Sequence, residues 1–314
     1  MILKGFPDLN WLKNQIDQGF RQRKGYNNVS LETDGFPSVI VNASVHETYR
    51  PDIKGPVSFF LNMSGSSYCK VDGRTVCIPE DYYFISNQSQ PYTLTIESDR
   101  PIETFNIHFG ENFSESALSS LITTTDQALD NGMQQRPKEI SFYNQLHKRD
   151  EVFDRLINSL KSLSQSQYFD KMLFEEQLTK LLTHQLLQHR DILSAMIKIP
   201  AAKPSVRTEL YKRIALAKDY MHSLPPGSID LQQLAAAACI SKFHFLRLFK
   251  SLYGISPHQY IQQIRMNKAK KLLVNSSFAI QEIADILGFE NSQSFSRFFQ
   301  QNEGVYPTEY RLHA

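Results

Sequence analysis

The chain has 314 residues, 41% hydrophobic and 21% charged, with a formal net charge of +2, the make-up of an ordinary folded protein of about two domains. No leader-like apolar segment opens it, and no window nears the roughly 18 uninterrupted apolar residues of a membrane span, so no membrane partner and a cytoplasmic location are expected. Three cysteines, Cys69, Cys77 and Cys239, do not make a disulfide framework.

Residues 36–110 are expected to form strands. VIVNASV, VSFFLNMSG, SYCKVDGRTVCI, DYYFIS, YTLTIES and ETFNIHF are β-branched or aromatic runs punctuated by Gly, Pro, Asn and Asp. Asp72-Gly73, set between two alternating segments, predicts a hairpin with a tight primed turn. Cys69 and Cys77 flank it; reduced thiols are expected, with a meeting across the hairpin as the alternative. Short strands at close spacing indicate a β-sandwich or small barrel.

Helical patterns follow at Phe113–Thr125, Asp150–Gln165 and Asp170–Ile197. In the last, Phe174, Leu178, Leu181, Leu182, Leu186, Ile192, Leu193 and Met196 recur at helical spacing. Such a stripe packs on the chain's own core or forms a dimer seam. IKIPAAKPSVR, with Pro200 and Pro204, reads as a linker.

Beyond it the chain repeats itself. SKFHFLRLFKSLYGISPHQY (Ser241–Tyr260) and NSQSFSRFFQQNEGVYPTEY (Asn291–Tyr310) share Phe245/Phe295, Arg247/Arg297, Phe249/Phe299, Gly254/Gly304, Pro257/Pro307 and Tyr260/Tyr310. A short apolar helix precedes each: LQQLAAAACI, with Asp230 as its expected cap, and IQEIADILGF. Ala235 and Ala284 allow close helix crossing, Gly288 suits a left-handed turn position, and Ser241 and Asn291 are N-caps. This is helix, turn, capped helix, given twice: the helix-turn-helix pattern.

Phe245, Leu248, Phe249, Phe295, Phe298 and Phe299 are expected on the core side of the second helices. The opposite faces carry Lys242, Phe243, Leu246, Arg247 and Lys250 in the first unit. The second has Ser292, Gln293, Ser296, Arg297 and Gln300. In such a motif these side chains project into the major groove, where Arg can bind guanine and Gln adenine in bidentate fashion. The alternative is that Arg247 and Arg297 merely cap or pair on a helical surface. A helix of about 18 residues between the units spans about 27 Å, which suits two heads in successive grooves about 34 Å apart. From Val206 onward there are 13 Lys and Arg against 8 Asp and Glu, a net of +5, while the remainder carries −3. That asymmetry points the C-terminal part toward an anionic partner.

Residues 208–314 resemble the DNA-binding domain of the AraC/XylS family of bacterial transcriptional regulators. The resemblance rests on Ile283, Ala284, Gly288, Phe289, Phe295, Ser296, Arg297, Phe299, Gly304, Pro307, Tyr310 and Arg311, and on Arg265, Ala269, Leu272 and Leu273 between the units. Gln300 and Tyr306 depart from the Lys and Ser usual there. The resemblance implies an α+β multidomain chain: a cupin-like sensor domain over 1–145, a helical extension usable for dimerisation over 146–199, a linker at 200–206, and a DNA-binding domain over 207–314. It implies double-stranded DNA as partner, with Ser241, Lys242, Phe243, Leu246, Arg247, Lys250, Asn291, Ser292, Gln293, Ser296 and Arg297 at the interface. It further implies a homodimer, contact with RNA polymerase and a small organic effector. For the effector, aromatic and polar residues of the strands supply Tyr68, Tyr82, Phe84, Asn87, Gln90 and His108. His46 and His108 stand alone without an H-x-H pair, so no metal, no cofactor and no enzymatic activity are expected. A metal-dependent cupin enzyme fused to a DNA-binding module, and a regulator without an effector, stay open as alternatives.

Overall fold

The computed structural model describes residues 2–8, 38–110, 113, 141–166, 170–201 and 203–313. The helix expected over Phe113–Thr125 lies outside these beyond Phe113. The chain divides into two units, Met1–Leu193 and Ser194–Ala314.

The first unit is built on a sheet of eight strands: β1 (Ile2–Leu3), β2 (Val39–Lys54), β3 (Ser58–Leu61), β4 (Ser66–Val71), β5 (Arg74–Pro79), β6 (Tyr82–Ser86), β7 (Pro91–His108) and β8 (Leu146–Lys148). The hydrogen-bonded order is β1-β2-β7-β3-β6-β8, with β4 pairing β5 and β7. Among the described residues it runs from β1 to β8 without returning to its start. All pairs are antiparallel except β1 with β2.

Successive strand residues point to opposite faces, and here both faces are buried. Phe59, Leu61, Tyr83, Ile85, Phe105 and Ile107 face helices α1 (Glu151–Gln165) and α2 (Lys171–Ile197), and share a core with Phe153, Ile157, Leu160, Phe174, Leu178, Leu181 and Leu182. Phe60, Tyr82, Phe84, Tyr92, Leu94, Cys69, Val71, Val76 and Ile78 pack together on the other side. Each such side chain contributes about 1.5–3 kcal/mol on burial. Tyr83 stacks on Phe153 with ring centroids 4.0 Å apart and donates its hydroxyl to Gln185 Oε1 at 2.6 Å. The N-terminal half of the α2 stripe is thus core of its own unit, while Leu193 at its far end is exposed.

The Asp72-Gly73 turn has φ of 51° and 77° at its two central residues, the primed geometry expected of it. The register pairs Cys69 with Val76 and Cys77 with Tyr68, so the two thiols lie on opposite faces of the hairpin and do not meet. YTLTIES and ETFNIHF, expected as two strands, are one strand, β7. Its pairing with β2 jumps from Val45–Ile102 to Glu47–Glu97, which bulges residues 98–101 outward without ending the strand.

The second unit is helical: α3 (Pro204–Ser223), a single 3-10 turn (Pro226–Ser228), α4 (Leu231–Ala237), α5 (Lys242–Tyr253), α6 (Pro257–Asn275), α7 (Ile280–Ile286), α8 (Ser292–Glu303) and α9 (Pro307–His313). Pro204 begins α3, so the linker expected at 200–206 is shorter. Proline suits this place because the first helical N–H has no intrahelical acceptor to lose. Asp230 stands at the N-cap of α4, but its side chain makes no capping hydrogen bond.

Candidate nucleic-acid interface

The two repeats fold alike. In the first, α4 stops at Ala238, and Cys239 N–H and Ile240 N–H donate back to Ala236 O (2.9 Å) and Ala235 O (3.1 Å). In the second, Gly288 N–H and Phe289 N–H donate to Asp285 O (3.0 Å) and Ala284 O (2.9 Å). This left-handed closure satisfies carbonyls that the helix end leaves free. Gly288 adopts φ 73°, and its counterpart Cys239 adopts φ 52°, where a β-carbon costs roughly 1–2 kcal/mol. Only the alignment of the repeats, which sets Cys239 opposite Gly288, marks that left-handed cysteine; its residue type does not.

Each second helix is capped as its sequence requires. Ser241 Oγ accepts from His244 N–H at 3.3 Å, and Asn291 Oδ1 accepts from Ser294 N–H at 2.8 Å. Gly254 and Gly304 end α5 and α8 at φ 76° and 81°. Phe245, Leu248 and Phe249 are buried on α5, as are Phe295 and Phe299 on α8. Phe298, expected as core, is only half-buried and rests against Phe289 with centroids 5.1 Å apart.

The outward face repeats as well. On α5, Lys242, Phe243, Arg247 and Lys250 are exposed and Leu246 is half-buried; on α8, Gln293 and Arg297 are exposed, with Asn291, Ser292, Ser296 and Gln300 half-buried. Phe243, at the start of α5, is 77% exposed. Phe243 and Gln293 hold equivalent positions, each four residues before its arginine, and therefore on the same helical face as it.

The arginines of this unit sort into two kinds. Arg213 donates to Glu209 Oε1 and Cys239 O, Arg265 to Pro226 O, and Arg311 to Leu273 O and Phe278 O. The side chains of Arg247 and Arg297 bond to no other described residue. Two exposed guanidiniums at matched places, each with five unused donors, are competent to bind planar acceptors outside the protein.

The residues nominated for an effector do not converge in this way. Tyr82 and Phe84 share the sheet's second core, whereas Tyr68 points outward between buried Ser67 and Cys69. Asn87 donates to Phe142 O and accepts from Phe142 N–H, and Gln90 pairs with Asn144 and Asp72, so both tie a turn to residues 142–144. His108 is half-buried, with Nδ1 2.8 Å from Ser58 Oγ. Burial, with a lesser push from Arg50, lowers its pKa to about 4 and holds it neutral. Asn62, Ser67, Thr104 and Asn106 are buried polar residues of the same unit. Asn62 Oδ1 and Asn106 Nδ2 have no protein partner among the described residues. No three His, Cys, Asp or Glu side chains come together as a metal site among the described residues.

Residues 234–313 match the family described as a helix-turn-helix domain. The chain is 28% identical over 155 residues to a protein of Photobacterium leiognathi named "Probable transcriptional regulator LumQ", covering 46% of this chain and 62% of that one. It is 28% identical over 130 residues to the MmsAB operon regulatory protein of Pseudomonas aeruginosa, covering 41% of each. The chain spans about half the length of the curated relatives it matches. The solved structure of ToxT from Vibrio cholerae is similar over 88% of this chain and 98% of that one, at 16% identity and a TM-score of 0.34. The C-terminal part of the chain carries a helix-turn-helix domain.

Proposed function

We propose that this chain is a sequence-specific DNA-binding transcriptional regulator that reads two adjacent major-groove segments, one with α5 and one with α8. The observation that carries this is the matched pair Arg247 and Arg297, exposed and without a side-chain partner among the described residues, on the second helices of two helix-turn-helix units. The side chains four residues earlier differ, and so does the base each suits. The phenyl ring of Phe243 fits a thymine methyl, and the amide of Gln293 can bind adenine in bidentate fashion. Lys242 and Lys250 supply phosphate contacts, which position the protein without reading sequence.

Residues 205–314 alone are expected to fold and to bind the same site as the full chain, more weakly if the first unit contributes a dimer and its avidity. Fluorescence titration of the two proteins on one labelled duplex measures this. A soluble fragment with no affinity for that duplex would show that the two helix-turn-helix units do not suffice.

For the first unit we propose a cupin-like sensor of a small, uncharged or weakly charged organic molecule. A regulator without an effector is favoured by one observation, the dense packing of Phe60, Tyr82, Phe84 and Tyr92 on the sheet's second face. A metabolite that raises the melting temperature of the full chain, as ligands of the folded state do, would decide for the sensor.

A further inference from the structure

Gly227 has no positive φ, so its backbone conformation gives no reason for glycine. Its surroundings give one. A β-carbon on Gly227 would lie 2.4 Å from Gly288 Cα, and one on Gly288 would lie 2.1 Å from Gly227 Cα. Real β-carbons do not come so near. Two bare backbones therefore touch across the space between the turn that leads into α4 and the turn inside the second helix-turn-helix unit. A third element clamps them. Arg265, on α6 between the two units, donates Nε–H to Pro226 O at 3.1 Å, and its guanidinium sits 5.3 Å from the Phe289 ring centroid. Pro226 precedes Gly227 and Phe289 follows Gly288, so one side chain holds both sides of the contact.

We propose that Gly227, Gly288 and Arg265 are positioning residues that fix the separation and rotation of α5 and α8, and so set the one spacing of the two base-pair blocks that the chain accepts. This rests on the reading of α5 and α8 as DNA-reading helices. Cooperation between two heads on one duplex needs both to face their grooves at once. One inserted base pair moves a block by about 3.4 Å and turns it by about 35° about the axis. Heads joined by α6 alone could follow such a shift by bending the joint. Heads locked by a backbone contact cannot.

The test is a titration of the full chain against three duplexes: the selected site, and the same site with one base pair added or removed between the blocks. The parent is expected to prefer the selected spacing by about tenfold or more, the scale of one mismatched base pair. Gly227→Ala adds a methyl without violating φ and forces the contact apart. It should reduce that preference to less than about threefold while leaving the bases preferred within each block unchanged. Loss of general stability would not produce that pattern, because it weakens all three duplexes alike. Arg265→Ala removes the clamp without adding any clash, and should flatten the spacing preference even if Gly227→Ala fails to fold. Folded variants that keep the parent's spacing ratio, or a parent with no spacing preference, would overturn the lock. A parent that binds none of the three duplexes would instead overturn the DNA-binding assignment, and the lock with it.

Discussion

Arg247→Ala and Arg297→Ala will each weaken binding to the selected site by about 1–3 kcal/mol and relax the base preference at one position. The cost is that of losing a bidentate pair to a guanine edge in the major groove. Because the two arginines stand on different helices and share no partner among the described residues, their losses should add, giving about 2–6 kcal/mol for the double variant. Neither change should alter the unfolding midpoint, since neither guanidinium is bonded within the described protein. Lys250→Ala provides the contrast: it should weaken all sequences about equally and reduce the salt slope by about one. Titrations of these variants on the selected duplex and on single-base variants of it separate the two behaviours. Arginine variants with full affinity and unchanged preference would remove α5 and α8 as reading helices.

Phe299→Ala is the change expected to cost most in stability. Phe299 is fully buried, lies 5.9 Å from the Phe295 ring and 5.3 Å from the Tyr310 ring, and shares a core with Met266, Ala269, Leu273, Ile283, Ala284 and Leu287. That core ties α6, α7, α8 and α9 into the second head. Truncating such a ring costs about 3–5 kcal/mol, a large fraction of the 5–15 kcal/mol that holds a typical domain. The urea transition of the C-terminal unit should shift downward accordingly, and binding should fall as the second head unfolds. A loss below about 1 kcal/mol would mean that this cluster is not the core of the unit.

The parts of the molecule legible in the sequence are those set by short-range chemistry. The repeat announced itself because the second helix of each unit needs a cap, a buried stripe and a left-handed stop, and Ser241 and Asn291, Phe245 and Phe295, and Gly254 and Gly304 supply these at fixed offsets. Asp72-Gly73 was legible for the same reason. What could not be read depends on distant partners. Tyr68 faces outward because its pairing places Ser67 and Cys69 inward, and an aromatic strand residue does not say which face it takes. Asn87 and Gln90 resemble ligand-binding amides, yet their partners, Phe142 and Asn144, lie more than fifty positions away. Gly227 reads as an ordinary turn glycine after two prolines, and only its approach to Gly288 explains it. Cys239 breaks the rule that a left-handed turn advertises itself with glycine or asparagine.

The most direct test of the account is selection of bound duplexes from a random pool by the full chain. The expected outcome is a two-block site with one preferred spacing, centred about one helical turn of 10–10.5 base pairs apart. One block should pair thymine with guanine, as Phe243 and Arg247 on α5 require, and the other adenine with guanine, as Gln293 and Arg297 on α8 require. A pool that shows no enrichment, or a single block unaffected by changes to Arg297, would contradict it.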